Sequence, residues 1–212
     1  FGGGVVAVSL SSETKAYIAA GATVNASDDV KISAEYTNNV DAQAYGGAAG
    51  AGVGIGAQVA VVDDTSKQLA FTGNALSDSS GTNIIAAGDI DINAEATRNI
   101  DAQAKGITVA AFAAGAAIGS VDVAGETKAY LGRHSQVDGS SASSGALSSL
   151  DISAESVFDA DVDVWTVAGG IGAGTGNDAK VNYSPKIHAY IDEGSNVDIT
   201  GHLAIDAKAT PY

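Results

Sequence analysis

Cysteine and methionine are absent from this 212-residue chain, proline occurs twice, histidine three times, and aromatic residues make up only 6%. Without cysteine there is neither a disulfide framework nor a thiolate zinc site, and His134, His188 and His202 are too few and too scattered for an all-histidine metal cage. So unreactive a composition suits an exposed, extracellular setting. Basic residues are scarce as well: ten Lys and Arg stand against 25 Asp and Glu, a formal net charge of −15. No run of three basic residues occurs, so there is no patch to grip phosphates, and a nucleic-acid partner is excluded. Long hydrophobic runs are missing too. The longest uncharged apolar stretch, GITVAAFAAGAAIG at 106–119, is glycine-rich and shorter than the roughly 20 residues of a spanning helix, so no membrane span is expected. The chain opens at Phe1 without Met or a charged leader, which reads as a fragment of a longer or processed protein.

What is present is repetition. KISAE at 31–35 returns as DINAE at 91–95 and as DISAE at 151–155, and a partial fourth copy reads LAIDA at 203–207. NVDAQAY at 39–45 is followed by NIDAQAK at 99–105 and DADVDVW at 159–165, again at an offset of 60 (99 − 39 and 159 − 99). A second marker, ETKAYI at 13–18, recurs as SKQLAF at 66–71, ETKAYL at 126–131 and SPKIHAYI at 184–191. These markers divide residues 1–212 into units at about 13–65, 66–125 and 126–184, with a partial unit at 185–212. The basic unit is about 53 residues, and the longer copies carry Ser/Gly-rich insertions at 77–83 and 140–149, as expected of turns on the outside of a solenoid.

Inside each unit the apolar period is two. Val30, Ile32 and Ala34 alternate with Lys31, Ser33 and Glu35, and Val40, Ala42 and Ala44 with Asp41, Gln43 and Tyr45. That is the pattern of strands with one buried face, and no window gives a convincing amphipathic helix. The fold class expected is all-β, a parallel β-solenoid (β-helix) built from repeats of about 53 to 60 residues, each strand pairing with its counterpart in the next copy. At about 3.3 Å per residue a unit fits either one broad coil or two of about 26 residues. Such stacking predicts an aromatic ladder of Tyr17, Phe71, Tyr130 and Tyr190 and an aliphatic one of Ile32, Ile92, Ile152 and Ile205. The Gly/Ala tracts at 46–57, 109–119 and 167–176 read as strands where two sheets approach closely or another surface packs flat. A phosphate-cradling loop is rejected there, because GAGVGIG has the wrong glycine spacing and no Lys-Ser/Thr follows.

The succession KAYI, GATVNA, DVKISAE, VDAQA and a Gly/Ala/Val tract resembles the repetitive β-solenoid regions of large bacterial surface or secreted proteins. It is similar to filamentous-haemagglutinin-like adhesins and leukotoxin-type repeats over residues 13–209. The resemblance implies a β-helical stalk or filament on the bacterial cell surface or outside the cell, with no catalytic residues to carry over.

The candidate chemistry lies in columns of like residues. Asp41, Asp101 and Asp161 share one repeat position, and Glu35, Glu95 and Glu155 another. Stacked about 4.8 Å apart, such carboxylates repel unless they are solvated or bridged by a cation. The richest cluster is Asp159, Asp161 and Asp163, which alternation puts on one face. Calcium, a hard cation served by oxygen ligands, is the metal it would take; the competing reading is a solvated acidic face that keeps the protein soluble. No other cofactor is expected. An enzyme is not expected either, since an active site should break the repeat at one place and the acidic sets recur in every unit. Departures from the repeat give the other candidates: Trp165 replaces Tyr45 and Lys105, Phe158 replaces Asn38 and Arg98, and Arg133 with His134 replaces a small-residue turn. Read as an exposed aromatic pair, Phe158 and Trp165 would stack on a host or matrix glycan or touch a neighbouring subunit. Two functions follow: a structural segment of an extracellular adhesin or fibre, able to stack end to end with neighbouring copies or adjoining segments, or a glycan- or calcium-binding module.

Overall fold

A computed structural model describes residues 1–73, 80–139 and 149–211. Of the two expected insertions, residues 77–79 and 140–148 lie outside the described residues. The described chain makes four successive passes, each of four strands and none with a helix. The first pass holds β1 (Gly2–Leu10), β2 (Glu13–Ile18), β3 (Thr23–Ala26) and β4 (Val30–Ala49). The second holds β5 (Val53–Asp64), β6 (Lys67–Thr72), β7 (Asn83–Ala86) and β8 (Ile90–Val109). The third holds β9 (Phe112–Val123), β10 (Glu126–Leu131), β11 (Gln136–Gly139) and β12 (Ser149–Gly169). The fourth holds β13 (Gly172–Tyr183), β14 (Lys186–Ile191), β15 (Asn196–Val197) and β16 (His202–Pro211).

Every fourth strand pairs, in parallel, into one of four sheets: sheet I is β1-β5-β9-β13, sheet II β2-β6-β10-β14, sheet III β3-β7-β11-β15 and sheet IV β4-β8-β12-β16. The register follows the repeats. Ile32, Ile92, Ile152 and Ile205 are mutual partners in sheet IV. In sheet II the rings of Tyr17, Phe71, Tyr130 and Tyr190 stack with centroids 5.0–5.1 Å apart and planes within 7°. Both expected ladders are therefore present. One equivalence is hidden in the sequence: β1 pairs with β5, Val5 opposite Val59 and Val8 opposite Val62, so the repeat is already running ahead of Glu13.

Two cores form, and sheet IV serves both. Its first half joins sheets II and III around Ile32, Ile84, Ile92, Leu131, Leu150 and Ile152. Its second half packs against sheet I around Ala42, Ala44, Ala60, Val62, Ala102 and Ala104. That second core is thin, as the Gly/Ala tracts predict. A Cβ on Gly119 would lie 2.6 Å from Val162 Cγ1, and one on Gly46 2.7 Å from the Gln58 amide nitrogen. Real Cβ atoms do not approach so closely, so glycine here is what allows the sheets to meet.

Candidate functional site

The outer face of sheet IV carries the polar columns. Asp159, Asp161 and Asp163 are all exposed and lie on one face, as alternation requires. They stand in register with Asn99, Asp101 and Gln103 and, one pass further, with Asn39, Asp41 and Gln43. Part of the acidic column is hydrogen-bonded to neighbouring amides, and its last carboxylate is ion-paired. The Gln43 amide donates to Asp41 at 2.7 Å, that of Gln103 to Asp101 at 2.9 Å, and Asn99 to Asn39 at 2.8 Å. In the third pass Asp163 takes the place of glutamine and receives the Lys105 ammonium at 2.7 Å. The Asp163 carboxylate in turn holds Lys105 above the usual lysine range. A depression of about 250 Å³ runs over Asn39, Asp41, Asn99, Asp101, Asp159 and Asp161. Among the described residues no three acidic or histidine side chains converge closely enough to hold a metal ion.

Beside it lies a second depression of about 440 Å³, lined by Tyr45, Lys105 and Trp165 with Gly46, Gly47, Gly106 and Ile107. Tyr45 and Trp165 are exposed and occupy one register column with Lys105 between them, two strand spacings or about 9.6 Å apart. The Tyr45 hydroxyl reaches Gln103 Oε1 at 3.3 Å. Aromatic faces, amides and a carboxylate-paired lysine thus share one open surface.

Phe158 does not belong to it. The expectation of an exposed Phe158–Trp165 pair is overturned: Phe158 is 6% exposed and stacks inside the protein on Tyr183, ring centroids 4.4 Å apart. Phe158 shares the inward phase of Ala154, Trp165 the outward phase of Asp163, so the two lie on opposite faces of β12.

The phase that buries Phe158 also buries Arg98, its partner in β8, which sequence reasoning passed over. Arg98 is fully buried between the two cores. Its Nε donates to Asp64 Oδ2 at 2.9 Å, Nη1 to Ser156 Oγ at 2.9 Å, and Nη2 to Gln68 Oε1 at 3.1 Å and the Ser66 carbonyl at 3.3 Å. Asp64 also accepts from the Ser66 backbone at 2.8 Å and from the Asn38 amide at 3.1 Å. The charged centre of this network, Arg98 with Asp64, is closed off from solvent, lines neither depression and ties the two cores together.

The aromatic ladder carries the largest shift in ionisation. Burial pushes the Tyr130 phenol up to about 12, reinforced by Tyr190, Asp192 and Glu126. Because the folded state holds the proton more tightly than the unfolded chain, whose tyrosines ionise near pH 10, Tyr130 contributes stability fully below about pH 10. That contribution is lost as pH rises from about 10 towards 12. Unfolding midpoints measured across this range should fall, and Tyr130→Phe should flatten the fall; an equal slope in the variant would assign the loss to other groups.

No protein-family profile matches the chain, and neither a curated protein nor a solved structure does.

Proposed function

We propose that the chain is a non-enzymatic structural segment of an extracellular bacterial adhesin or fibre, a β-solenoid with one coil per repeat unit acting as a stiff stalk. The supporting observation is that all four sheets pair equivalent residues of successive passes in parallel, as in the column Val30, Ile90, Leu150 and Leu203. Each pass then adds a rung of about 4.8 Å and covers the apolar edge of the last, so function resides in length and stiffness. The acid-rich, cysteine-free composition and the resemblance to bacterial surface repeats support an extracellular place. The test is to insert a second copy of residues 53–171 after position 171, which adds two passes. Solution scattering should show a particle longer by about 9.6 Å with an unchanged cross-section. A wider particle, or one that grows in all directions, would refute the stalk.

A second reading has its own observation, the depression between Tyr45 and Trp165. Sugar rings stack on exposed aromatic faces and hydrogen-bond to amides such as Gln103, so this surface would hold a glycan of the cell surface or matrix. Trp165→Ala should weaken retention on a glycan array by about tenfold while leaving the melting temperature within a few degrees of the parent, as removal of one aromatic anchor worth about 1.4 kcal/mol requires. Unchanged retention would leave the depression without a ligand.

A further inference from the structure

One long side of the stack is apolar and carries almost no charge. The inward phase of sheet I packs on sheet IV, while its outward phase over residues 53–61 of β5 and 112–120 of β9 holds only valine, isoleucine, phenylalanine, alanine and one serine. In β1 the same columns continue with Gly3, Val5 and Ala7. Charged residues enter the outward phase only at its border, Asp63 and Asp122, and in β13 at Asp178 and Lys180. The exposure belongs to the side of the stack and not to its ends. Phe112 lies between Val53 and Gly172 and is still 62% exposed, and Ile118, between Val59 and Asp178, is 42% exposed.

Charge, period and area together say what fits this face. With 25 acidic residues against ten basic, two copies of the chain repel each other, and the Asp columns of sheet IV face outward. The middle of sheet I has no carboxylate, so two copies can approach there. Its ridges repeat with the rung of about 4.8 Å, and another sheet I offers the same period, so every rung meets a like rung. The outward phase covers about 30 Å along the strands and four rungs across them, about 500–600 Å². Two such faces give about 1,000–1,200 Å², the lower part of the range for specific pairs.

We propose that sheet I is a lateral interface at which two copies of this chain pair face to face, about a two-fold axis parallel to the stack. The column Gly3, Ala57, Ala116 and Gly176 runs down the middle of the face and, being small, lets two sheets meet at about 10 Å. About an axis on that column Ile118 stands opposite Ala114, large against small, and the acidic borders at Asp63 and Asp122 fall at opposite margins of the pair. An axis along the strands would bring those borders together. The contact is isologous and closes at two copies. It goes beyond the stalk reading and rests on sheet I alone.

The experiment is sedimentation velocity of the 212-residue chain over a concentration series. The parent should show a reversible dimer that tightens as salt rises from about 20 to about 500 mM, because salt screens the repulsion between two acidic chains. Ala57→Lys and Ile118→Lys each place an ammonium without a partner in the interface and should raise the dissociation constant by at least about tenfold. Gln43→Lys makes the same change of charge on the outer face of sheet IV and should leave it unchanged. All three positions face outward, so melting should stay within a few degrees of the parent; if Ile118→Lys melts early, Ala57→Lys decides. The chain lengthened by a second copy of residues 53–171 should pair at least about tenfold more tightly, because a contact along the side grows with every pass while an end-to-end contact does not. That arm alone presumes the stalk, whose own failure shows separately as a wider monomer in scattering. A parent that stays monomeric, an association that weakens with salt, lysine variants that pair like the parent, or a lengthened stalk that pairs no more tightly would overturn the interface. A monomeric parent that floats with phosphatidylcholine vesicles would also overturn it and assign the face to a lipid surface.

Discussion

Arg98→Met should cost about 3–5 kcal/mol of stability, because it strands the Asp64 carboxylate in a site closed to water. After the loss, Asp64 keeps the Ser66 N–H and the Asn38 amide but no opposing charge, while Ser156 and Gln68 lose their contacts with the guanidinium. In a chain of this length that cost corresponds to a fall in melting temperature of roughly 6–20 °C. The neighbouring passes show that charge is not required at these positions. Arg98 is in register with Phe158, and Asp64 with Val123 and then Tyr183, and Phe158 and Tyr183 form a stacked apolar pair. Arg98→Met combined with Asp64→Val should therefore recover more than half of the loss, measured by thermal and urea unfolding of the four-member cycle. A single variant within about 1 kcal/mol of the parent would show that water reaches Asp64; a double variant as unstable as the single would show that the network, not the charge pair, carries the stability.

How much of this could be read in advance depended on which signal carried it. The inward and outward phases of sheet IV were legible because Ile32, Ile92 and Ile152 recur with polar residues between them, and the ladders followed from register alone. The same phase, extended four residues from Ala94 and Ala154, already points Arg98 and Phe158 inward. An arginine in the buried phase asks for a buried acid, but Asp64 comes from another sheet, so the sequence gives no local hint of it. The start of β1 was hidden for a related reason: Gly2, Gly3 and Gly4 have no side chains to show that they stand opposite Gly56, Ala57 and Gln58. The Asp columns were found but not the partners of Asp41, Asp101 and Asp163, because the Gln43, Gln103 and Lys105 contacts depend on side-chain geometry, which repeat spacing does not contain. For Tyr45, Lys105 and Trp165 the column was readable and the open surface around it was not, since that surface arises where the glycines at 46, 47 and 106 leave room.

Gly119→Val should destabilise the protein by about 2–3 kcal/mol, through overpacking where sheet I meets sheet IV. A Cβ at this position would lie 2.6 Å from Val162 Cγ1 and 2.7 Å from Val164 Cγ1, and both neighbours are β-branched and stiff about χ1. The reason for glycine is visible one pass away. Gly119 is in register with Ala60, while Val162 and Val164 are in register with Ala102 and Ala104. The third pass therefore carries four more carbons on sheet IV than the second and one fewer on sheet I, and glycine at 119 makes room where the two valines crowd closest. Opening the facing positions should then relieve the variant: Gly119→Val with Val162→Ala and Val164→Ala, which adds three carbons and removes four, should lie closer to the parent than Gly119→Val does, although each Val→Ala alone opens a cavity and costs stability. Thermal unfolding of the set distinguishes the accounts. If Gly119→Val alone is neutral, the sheets part readily and the thin core is not a constraint. If instead it destabilises and the triple variant restores much of the melting temperature, the Gly/Ala tracts are spacing elements that hold every pass to one cross-section, which is what a stack of like rungs needs in order to continue.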